Sequence, residues 1–535
     1  MTTTRAAQAT ILQSDSRTPP RIPSAWSEAT GRGVIDETTF RTIEVVKLFD
    51  TIGMAGTRIG QAVLYRSLTH PLATTEAVQE KQAALQELEA RPELRDGVAN
   101  LVRRTARREE DFYRLLFGSF LGWVGRPADE MEVEGYGYES YIKGTGFMLD
   151  LADGAAKLPK PESGYLQAIV DDICGFAESR AGVLMRGPVY RSEKGILTAA
   201  EKGWLTPAVK FQPSLFKPVA LAMLVLVILL ALEFVPVLLE IASAIAPLFW
   251  LVLPPMALVY VPIVGGFDRD AIIYPLREIF KRSPEVQRAL DALGKLDELM
   301  NFLHLRENFG HPMTLPKLLD GPAHTARLGA VRNPILAKGN ADYVANDIDL
   351  ADDRLTFITG PNSGGKTAFC KTLAQTQLLA QIGCYVPAES AELTVADRIF
   401  YQVPEISQLT DGEGRFGTEL KRTKEVFLAT GSRSLVIIDE LSEGTTHEEK
   451  IEISTDILNG FRQKGCSTLL ITHNHELVEH FQEQGIGHPR QVEFRDDQPT
   501  YRLVEGISKV SHADRVARKI GFAKEDIARM LGQGE

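Results

Sequence analysis

A glycine-rich stretch in the C-terminal half of the chain has the residue types and spacing of a phosphate-binding loop. Residues 355–359 (LTFIT) form an apolar run that predicts a buried strand, and a helix-like stretch follows residue 367. Between them lie Gly360, Pro361, Asn362, Ser363, Gly364, Gly365, Lys366 and Thr367. This loop matches GxxxxGK[ST] in the strand–loop–helix setting that the pattern requires. It predicts that all eight residues bind the phosphates of a nucleotide.

The chemistry of such a loop assigns a role to each residue type. Glycines let backbone N–H groups approach phosphate oxygens, and the N-terminus of the following helix adds partial positive charge. Lys366 would reach the β- and γ-phosphates, and the Thr367 hydroxyl would bind Mg²⁺. The sequence therefore predicts a site for ATP with Mg²⁺.

Two further apolar runs each end in side chains suited to phosphate hydrolysis. Residues 434–438 (SLVII) lead into Asp439 and Glu440, and residues 468–472 (TLLIT) lead into His473. In this order after a phosphate-binding loop, Asp439 is expected to hold Mg²⁺, directly or through water. Glu440 is expected to orient and deprotonate the attacking water, and His473 to contact the γ-phosphate. We therefore predict an ATPase with Lys366, Glu440 and His473 as its catalytic residues.

These motifs require a particular fold to position them. We expect an α/β P-loop ATPase domain of the ABC type, with a parallel sheet and flanking helices, over residues 321–505. Apolar residues at helical spacing predict a mainly α-helical region before it, from 33 to 108 and again from 285 to 307. Glycines at 118, 122, 125, 135, 137, 144 and 146 are expected to break any long helix between 110 and 205.

Length and composition set broad limits on the protein. The 535 residues suffice for two to four domains. Four scattered cysteines without a CxxC pair indicate neither a disulfide framework nor a zinc site and fit a reducing compartment. The net charge of −11 removes any compositional support for DNA binding, although it does not exclude a local basic surface. Residues 1–32 are polar and proline-containing, and they predict a flexible tail rather than a signal peptide.

One segment, residues 216–267, differs from the rest by its apolar character. Residues 219–232 and 241–267 carry no charge, and Glu233 and Glu240 are the only charged residues between the two runs. A bilayer span needs about 20 apolar residues. Basic residues flank the pair on both sides, which favours a transmembrane helical hairpin with cytoplasmic ends. On this interpretation the ATPase is anchored to the inner face of the cytoplasmic membrane. The prolines and glutamates favour the alternative, a buried apolar core or an interfacial hairpin.

Several stretches around the motifs resemble the MutS family of DNA mismatch-repair proteins. The resemblance is carried by the form of the phosphate-binding loop, by residues 381–393 (QIGCYVPAESAEL), by residues 397–400 (DRIF) and by residues 342–346 (DYVAN). It implies that Tyr343 stacks on adenine and that Asn346 contacts the nucleotide. It also implies a homodimer, in which each subunit completes the ATP site of the other.

The resemblance extends beyond the ATPase and implies a domain order. Residues 35–94 are similar to the start of the MutS core or lever domain, residues 293–305 to its returning helix, and residues 508–531 to C-terminal helices that help MutS dimerise. The predicted segments are a flexible tail (1–32), a helical core or lever-like region (33–205), an apolar hairpin (206–283), a returning lever helix (284–320), the ATPase domain (321–505) and dimerisation helices (506–535).

Departures from the family pattern leave the substrate open. Only about thirty residues precede the lever-like start, so we expect no mismatch-reading domain in this sequence. Gly414 stands where a family serine reaches the partner's γ-phosphate, and Glu443 stands near a usually basic position after the DE pair. We likewise expect no nuclease domain. The resemblance implies a DNA-binding ATPase of mismatch repair or recombination acting on duplex DNA. The alternative is a membrane-tethered MutS-like ATPase acting on a non-DNA partner. An ABC transporter ATPase is disfavoured by the missing LSGGQ-type loop.

Overall fold

The structure is a computed structural model with two compact units. It describes residues 33–121, 135–217, 260–350, 354–361, 364–404, 414–441, 447–495, 498–508 and 520–532. Of the described residues, 55–63 and 88–298 belong to the first unit, here called the helical unit. The second, here called the sheet unit, contains residues up to 54, residues 64–87 and residues from 299 onward. The predicted flexible tail, residues 1–32, lies outside the described residues.

Helices dominate the described chain before residue 309. They are α1 (Glu37–Thr42), α2 (Val45–Ile52), α3 (Arg58–Thr69), α4 (Thr75–Ala90), α5 (Pro92–Ala106), α6 (Glu109–Phe117), α7 (Tyr138–Ala155), α8 (Gly164–Glu178), α9 (Arg180–Arg186), α10 (Tyr274–Arg282) and α11 (Pro284–Asn308). The helices predicted between 33 and 108 and between 285 and 307 are confirmed. At the first of them, the Asp36 carboxylate caps α1 by accepting a 2.8 Å hydrogen bond from the Thr39 backbone N–H.

The expectation that glycines break every long helix between 110 and 205 was wrong at two positions. Gly144 and Gly146 lie inside α7, where small residues let helices approach closely. A Cβ at Gly144 would lie 2.8 Å from Leu115 Cβ on α6, closer than side-chain atoms pack. Gly118 ends α6, and Gly137 precedes α7 with a left-handed φ of 85°. The glycines therefore serve two purposes, helix contact and helix ends.

A small antiparallel sheet interrupts the predicted helical region of residues 33–205. Its strands are β1 (Tyr190–Ser192), β2 (Gly195–Leu197) and β3 (Val209–Lys210), in the order β2-β1-β3. The strands are only two or three residues long, too short to show a period-two pattern in the sequence. This explains why the sequence did not indicate them.

The predicted transmembrane hairpin falls largely outside the described residues. Residues 218–259 are not described, and residues 260–268 are helical and continue through a π-helical turn, Arg269–Ile273, into α10. Within the described ranges, no helix combines the length and the apolar character that crossing a bilayer requires. The hairpin therefore stays a prediction.

The sheet unit contains two sheets. Its strands are β4 (Lys317–Leu319), β5 (Ala326–Val331), β6 (Asn346–Asp349), β7 (Leu355–Thr359), β8 (Ser390–Thr394), β9 (Ile399–Gln402), β10 (Leu435–Asp439), β11 (Ser467–Ile471), β12 (His488–Arg495) and β13 (Gln498–Glu505). Its helices after α11 are α12 (Lys366–Gln381), α13 (Gly414–Ala429), α14 (His447–Lys464), α15 (His475–Glu483) and α16 (Lys524–Gly532).

The larger sheet has the order β13-β12-β7-β11-β10-β9. All its neighbours pair in parallel except β12 and β13, which form an antiparallel hairpin at the edge. A separate four-stranded mixed sheet has the order β4-β8-β5-β6. The prediction of one parallel sheet was therefore incomplete, because the sequence runs of the shorter strands carry no sign of which sheet they join.

The larger sheet is buried by apolar helices and its far edge is covered by the N-terminal segment. Phe357, Ile438 and Leu470 are fully enclosed in one core with side chains of α14 and α15. At the edge, the Ile399 N–H donates to the Val34 carbonyl at 2.7 Å. Covering an edge strand in this way satisfies its free backbone groups.

Two buried carboxylates cap α3 within the helical unit. Asp297 accepts hydrogen bonds from the N–H groups of Gly56 (3.1 Å) and Thr57 (2.7 Å) and from the Thr57 hydroxyl (2.6 Å). Glu109 accepts from the N–H groups of Arg58 and Ile59 at 2.7 and 2.9 Å. Burial raises the pKa of Glu109 and the nearby Asp297 charge adds to the rise. The first turn of α3 thus depends on side chains from α6 and α11.

Removing the Asp297 cap should destabilise the helical unit. We expect Asp297→Ala to lower the free energy of unfolding by about 2–4 kcal/mol, because two buried donors of Thr57 and the partly buried Gly56 N–H lose their acceptor. Asp153→Ala, at an exposed position of α7, is the control and should stay within about 0.5 kcal/mol. Denaturant unfolding of both variants measures the difference, and equal midpoints would contradict the capping role.

Candidate functional site

Three motifs that are far apart in the sequence meet at one edge of the larger sheet. Strand β11 lies between β7 and β10, and the register places Ile471 beside both Ile358 and Asp439. The loop from Gly360 follows β7, Asp439 ends β10, and His473 follows β11 by two residues. Because parallel strands present their carboxyl ends on one side, these residues converge there.

The phosphate-binding loop has the backbone that its glycines permit. Gly360 and Gly365 have φ values of +126° and +87°, which other residues rarely adopt. A Cβ at Gly364 would lie 2.9 Å from Val492 Cγ2, so a larger residue would push against β12. Helix α12 begins at Lys366 and directs its N-terminal N–H groups toward the loop. Asn362 and Ser363 lie outside the described residues.

The Lys366 side chain is buried inside this loop. Its ammonium donates a hydrogen bond to the Gly360 carbonyl. Burial lowers the pKa of Lys366, while the neighbouring carboxylates of Glu440 and Asp439 oppose the shift. The lysine therefore lies between the loop and the two acids that follow β10, where a phosphate group would need a positive charge.

Thr367 and Asp439 form a pair of oxygen ligands. The Thr367 hydroxyl donates to Asp439 Oδ2 at 3.2 Å, although the two residues come from different elements. Hydroxyl and carboxylate oxygens suit Mg²⁺, which usually takes its other ligands from water and phosphate. No group of three or more His, Cys, Asp or Glu side chains placed to hold a metal occurs among the described residues. The pair fits Mg²⁺ bound together with a phosphate-bearing ligand.

Glu440 and His473 lie beside each other at the same edge. Glu440 has φ +64°, an uncommon conformation for a residue with a side chain, and its N–H donates to the Ile471 carbonyl at 2.9 Å. Glu440 Oε1 accepts a 3.2 Å hydrogen bond from the His473 N–H and lies 3.6 Å from His473 Nε2. Neighbouring pairing holds Glu440 in this strained backbone, which is common where side chains do chemistry.

A cavity of about 370 Å³ adjoins the loop. Tyr343, Tyr501 and Leu336 line it together with Gly364 and Gly365. Burial raises the pKa of Tyr343, whose hydroxyl forms hydrogen bonds with the Thr372 side chain and the Asn333 backbone. This size and mixture of apolar walls with few polar groups is typical of small-molecule sites. Its position next to the loop fits a nucleoside whose phosphates lie over the glycines.

Tyr501 is a cavity residue that the sequence reasoning missed. It lies on β13 with φ +60°, and its ring approaches within 3.3 Å of the position that a Cβ would take at Gly365. More than half of its surface is exposed. No spacing rule in the sequence points to it, because β13 is an edge strand that contains no recognised motif.

Asn346 lines the same cavity, but its amide bonds to the backbone of β13. Asn346 Nδ2 donates to the Tyr501 carbonyl at 3.0 Å, and Asn346 Oδ1 accepts from the Leu503 N–H at 2.8 Å. The side chain therefore holds Tyr501 at the cavity. The predicted direct contact between Asn346 and a nucleotide stays a prediction.

Gly414 and Glu443 belong to the region expected to meet a partner subunit. Gly414 is the first residue of α13, and residues 405–413 before it lie outside the described part of the chain. Glu443 lies in another range, 442–446, that is not described.

Comparison with known proteins identifies the C-terminal region. Residues 356–531 match the family model described as MutS domain V. The chain is 31% identical over 276 residues to the DNA mismatch repair protein MutS of Prochlorococcus marinus, covering 48% of this chain and 30% of that protein. It is 33% identical over 260 residues to the MutS of Chlorobaculum tepidum, covering 47% and 29%. It is 28% identical over 291 residues to the DNA mismatch repair protein Msh6 of Gallus gallus, covering 49% and 22%.

The similarity is confined to part of each protein. The chain spans less than a third of the length of these relatives. The matched region contains the loop after β7, Asp439, Glu440 and His473.

Because Tyr501 lines the cavity, substituting it tests whether the cavity binds a nucleotide. We expect Tyr501→Ala to weaken ATP binding about tenfold, because an aromatic face on one side of the base is lost. Tyr501→Phe keeps the ring and should bind as the parent does. Titration with a fluorescent ATP analogue measures both, and equal affinities for the alanine and phenylalanine variants would exclude a stacking role.

Proposed function

We propose that this chain, whose residues 356–531 match MutS domain V, is a Mg²⁺-dependent ATPase of the MutS type that acts on duplex DNA. The observation that carries this proposal is the Thr367–Asp439 pair beside Lys366, with a nucleoside-sized cavity adjoining the same loop. DNA mismatch repair is the activity named for the relatives. For this chain, repair or recombination is part of the proposal.

The site binds ATP through three kinds of contact. Tyr343 and Tyr501, which both line the cavity, contact the base through their aromatic rings. Backbone N–H groups of the loop from Gly360 to Thr367 and the Lys366 ammonium bind the phosphates. Thr367 and Asp439 hold Mg²⁺, whose charge stabilises the phosphate oxygens when it is bound.

Hydrolysis uses the two residues that follow β10 and β11. Glu440 accepts a proton from the attacking water, and its carboxylate is oriented by the His473 N–H. His473, whose Nε2 lies 3.6 Å from Glu440 Oε1, contacts the γ-phosphate. Lys366 remains on the β- and γ-oxygens, where negative charge increases during the reaction.

The working form is a homodimer, and the exposed C-terminal helix supports it. Helix α16 and the residues before it expose Phe522, Met530 and Leu531. Exposed apolar side chains on and just before one short helix are typical of a surface that a second copy covers. Across the dimer, the Gly414 N–H reaches the partner's γ-phosphate in place of a serine hydroxyl, and hydrolysis is correspondingly slow.

The contact with DNA is proposed at a basic group at the end of α5. Arg103, Arg104 and Arg107 are exposed, and no ion pair to them is found in the described ranges. Arg103 and Arg107 are one helical turn apart and share a face. Unpaired guanidinium groups in this arrangement suit the phosphates of a duplex, whatever its sequence.

A membrane-tethered ATPase acting on a non-DNA partner, at the inner face of the cytoplasmic membrane, is the second candidate. Lys217 and Tyr260 lie on either side of residues 218–259, which are not described, and they are hydrogen-bonded to each other. This contact favours the second candidate. ATPase rates of the full chain with and without duplex DNA at moderate salt distinguish the candidates. A rate that changes with DNA supports the first, and a rate that does not supports the second.

Glu440→Gln should bind ATP but hydrolyse it at least about a hundredfold more slowly, because the general base is lost. Nucleotide binding by fluorescence titration and phosphate release measure the two steps separately. Lys366→Ala is the matched control and should lose ATP binding itself. Undiminished turnover in Glu440→Gln would show that the base lies elsewhere.

The double variant Arg103→Gln/Arg107→Gln should weaken duplex binding by roughly tenfold or more, because two positive charges facing the phosphates are lost. The measurement is made at about 0.1 M salt, where the Debye screening length is about 10 Å. The slope of log affinity against log salt concentration is negative, and its magnitude should decrease by about 2, because each arginine accounts for one phosphate contact. Lys421→Gln/Lys424→Gln removes the same charge from exposed positions on α13 and is the control. Equal slopes in the two double variants would place the DNA contact elsewhere.

A further inference from the structure

The helical unit exposes large apolar side chains around Lys217 and Tyr260. Leu121, Phe216, Ile263 and Phe267 are all exposed, Phe216 by 69%, and we call these four residues the apolar rim. Single exposed apolar residues are ordinary on protein surfaces, but a group of them marks a surface that contacts something.

The chain segments on either side of residues 218–259 are fixed to each other. Tyr260 Oη accepts from the Lys217 N–H at 3.3 Å and lies 3.4 Å from the Lys217 carbonyl. Lys217 Nζ lies 2.5 Å from the buried Asp268 Oδ2, and the Tyr138 hydroxyl donates to the same oxygen at 2.5 Å. The chain therefore leaves the helical unit and rejoins it at one place.

We call the place where Lys217 contacts Tyr260 and Asp268 the junction, and three rim residues lie at it. Phe216 precedes Lys217, and Phe267 precedes Asp268 in the sequence. Ile263 and Phe267 are four residues apart in a helical stretch, so their side chains lie on one face. The rim is thus built around the Lys217–Asp268 ion pair.

Leu121 is tied to the junction through Arg269. The Arg269 guanidinium donates to the Leu121 carbonyl at 2.6 Å and lies 5.6 Å from the centre of the Tyr274 ring. Arg277 lies 4.2 Å from the same ring centre and donates to the Gly118 carbonyl at 2.9 Å. Tyrosine and arginine side chains are amphipathic, and side chains of this kind are favoured at membrane–water interfaces.

The loop before β3 extends this apolar character. Trp204 is 96% exposed, and Leu205 and Val209 are exposed as well. Phe211 follows β3, packs edge-on against Tyr141 at 5.2 Å and lies 5.7 Å below the Lys217 ammonium. The loop therefore joins the same junction through Phe211.

We propose that the apolar rim, with Trp204 and Leu205, docks the helical unit onto a lipid bilayer. The sequence between Lys217 and Tyr260 indicates that the surface contacts a bilayer. Glu233 and Glu240 are the only charged residues from 218 to 259, and the stretch exceeds the roughly 20 residues that a bilayer span needs. A sequence of this character, flanked on both sides by exposed apolar side chains, fits a bilayer, with the apolar rim at the level of the headgroups. This inference rests on the membrane-tethered candidate of the proposed function.

The test places a fluorophore on the rim. The full chain with Cys174→Ser carries either Phe216→Cys or Leu428→Cys and is labelled with an environment-sensitive dye. The other three cysteines are buried, and Leu428, on α13 of the sheet unit, is 69% exposed like Phe216. The protein is purified in detergent and moved into buffer or into vesicles of phosphatidylcholine and phosphatidylglycerol.

We expect vesicles to shift the emission at position 216 to the blue. Lipids with brominated acyl chains should quench it several-fold more than they quench the label at position 428. Continued quenching by aqueous iodide in the presence of vesicles would overturn the proposal. So would a label that is already protected in buffer and unchanged by vesicles, since the chain itself or a second copy would then cover the rim. ATP binding by each labelled protein reports that the fold is intact, independently of the docking result.

Discussion

Parallel pairing of β7, β11 and β10 is the interaction on which the nucleotide site depends. It places the loop from Gly360, the acids Asp439 and Glu440, and His473 at one edge, although more than a hundred residues separate the first from the last. The pairing is fixed by side chains such as Phe357 and Leu470 that are buried against helices. A slip of one residue between β10 and β11 would exchange the two buried faces of one strand relative to the other and move Asp439 away from Thr367.

The residues on these strands could be predicted from the sequence, because each motif follows an apolar run that could only be a buried strand. Lys366, Thr367, Asp439, Glu440 and His473 were found in this way. The walls of the cavity were harder to predict. Tyr343 came from a resemblance, and Tyr501 was missed, because its place beside Gly365 depends on how an edge hairpin folds back over the loop. Such a contact has no local pattern in the sequence.

In the fold as well, features with a local sequence pattern could be predicted and features set by tertiary contacts could not. Helices α1 to α5 and α11 follow from periodic apolar residues, and Asp36 marks the first of them. Glycine was a weaker guide. Gly118 ends a helix as expected, whereas Gly144 lies within one because its missing side chain makes room for Leu115. Whether a glycine interrupts a helix or packs it against another depends on tertiary contacts, which a single sequence does not contain.

The local stability of strand β13 affects how tightly the cavity binds a ligand. It is an edge strand, paired to β12 on one side and tied by Asn346 through Tyr501 and Leu503 on the other. Edge hairpins open locally at lower free energy than the strands inside a sheet. A ligand that touches Tyr501 binds only the closed form, so binding and local closing of the hairpin are linked. Slower amide hydrogen exchange in β13 would accompany nucleotide binding, and any substitution that loosens the hairpin would lower affinity without touching the ligand.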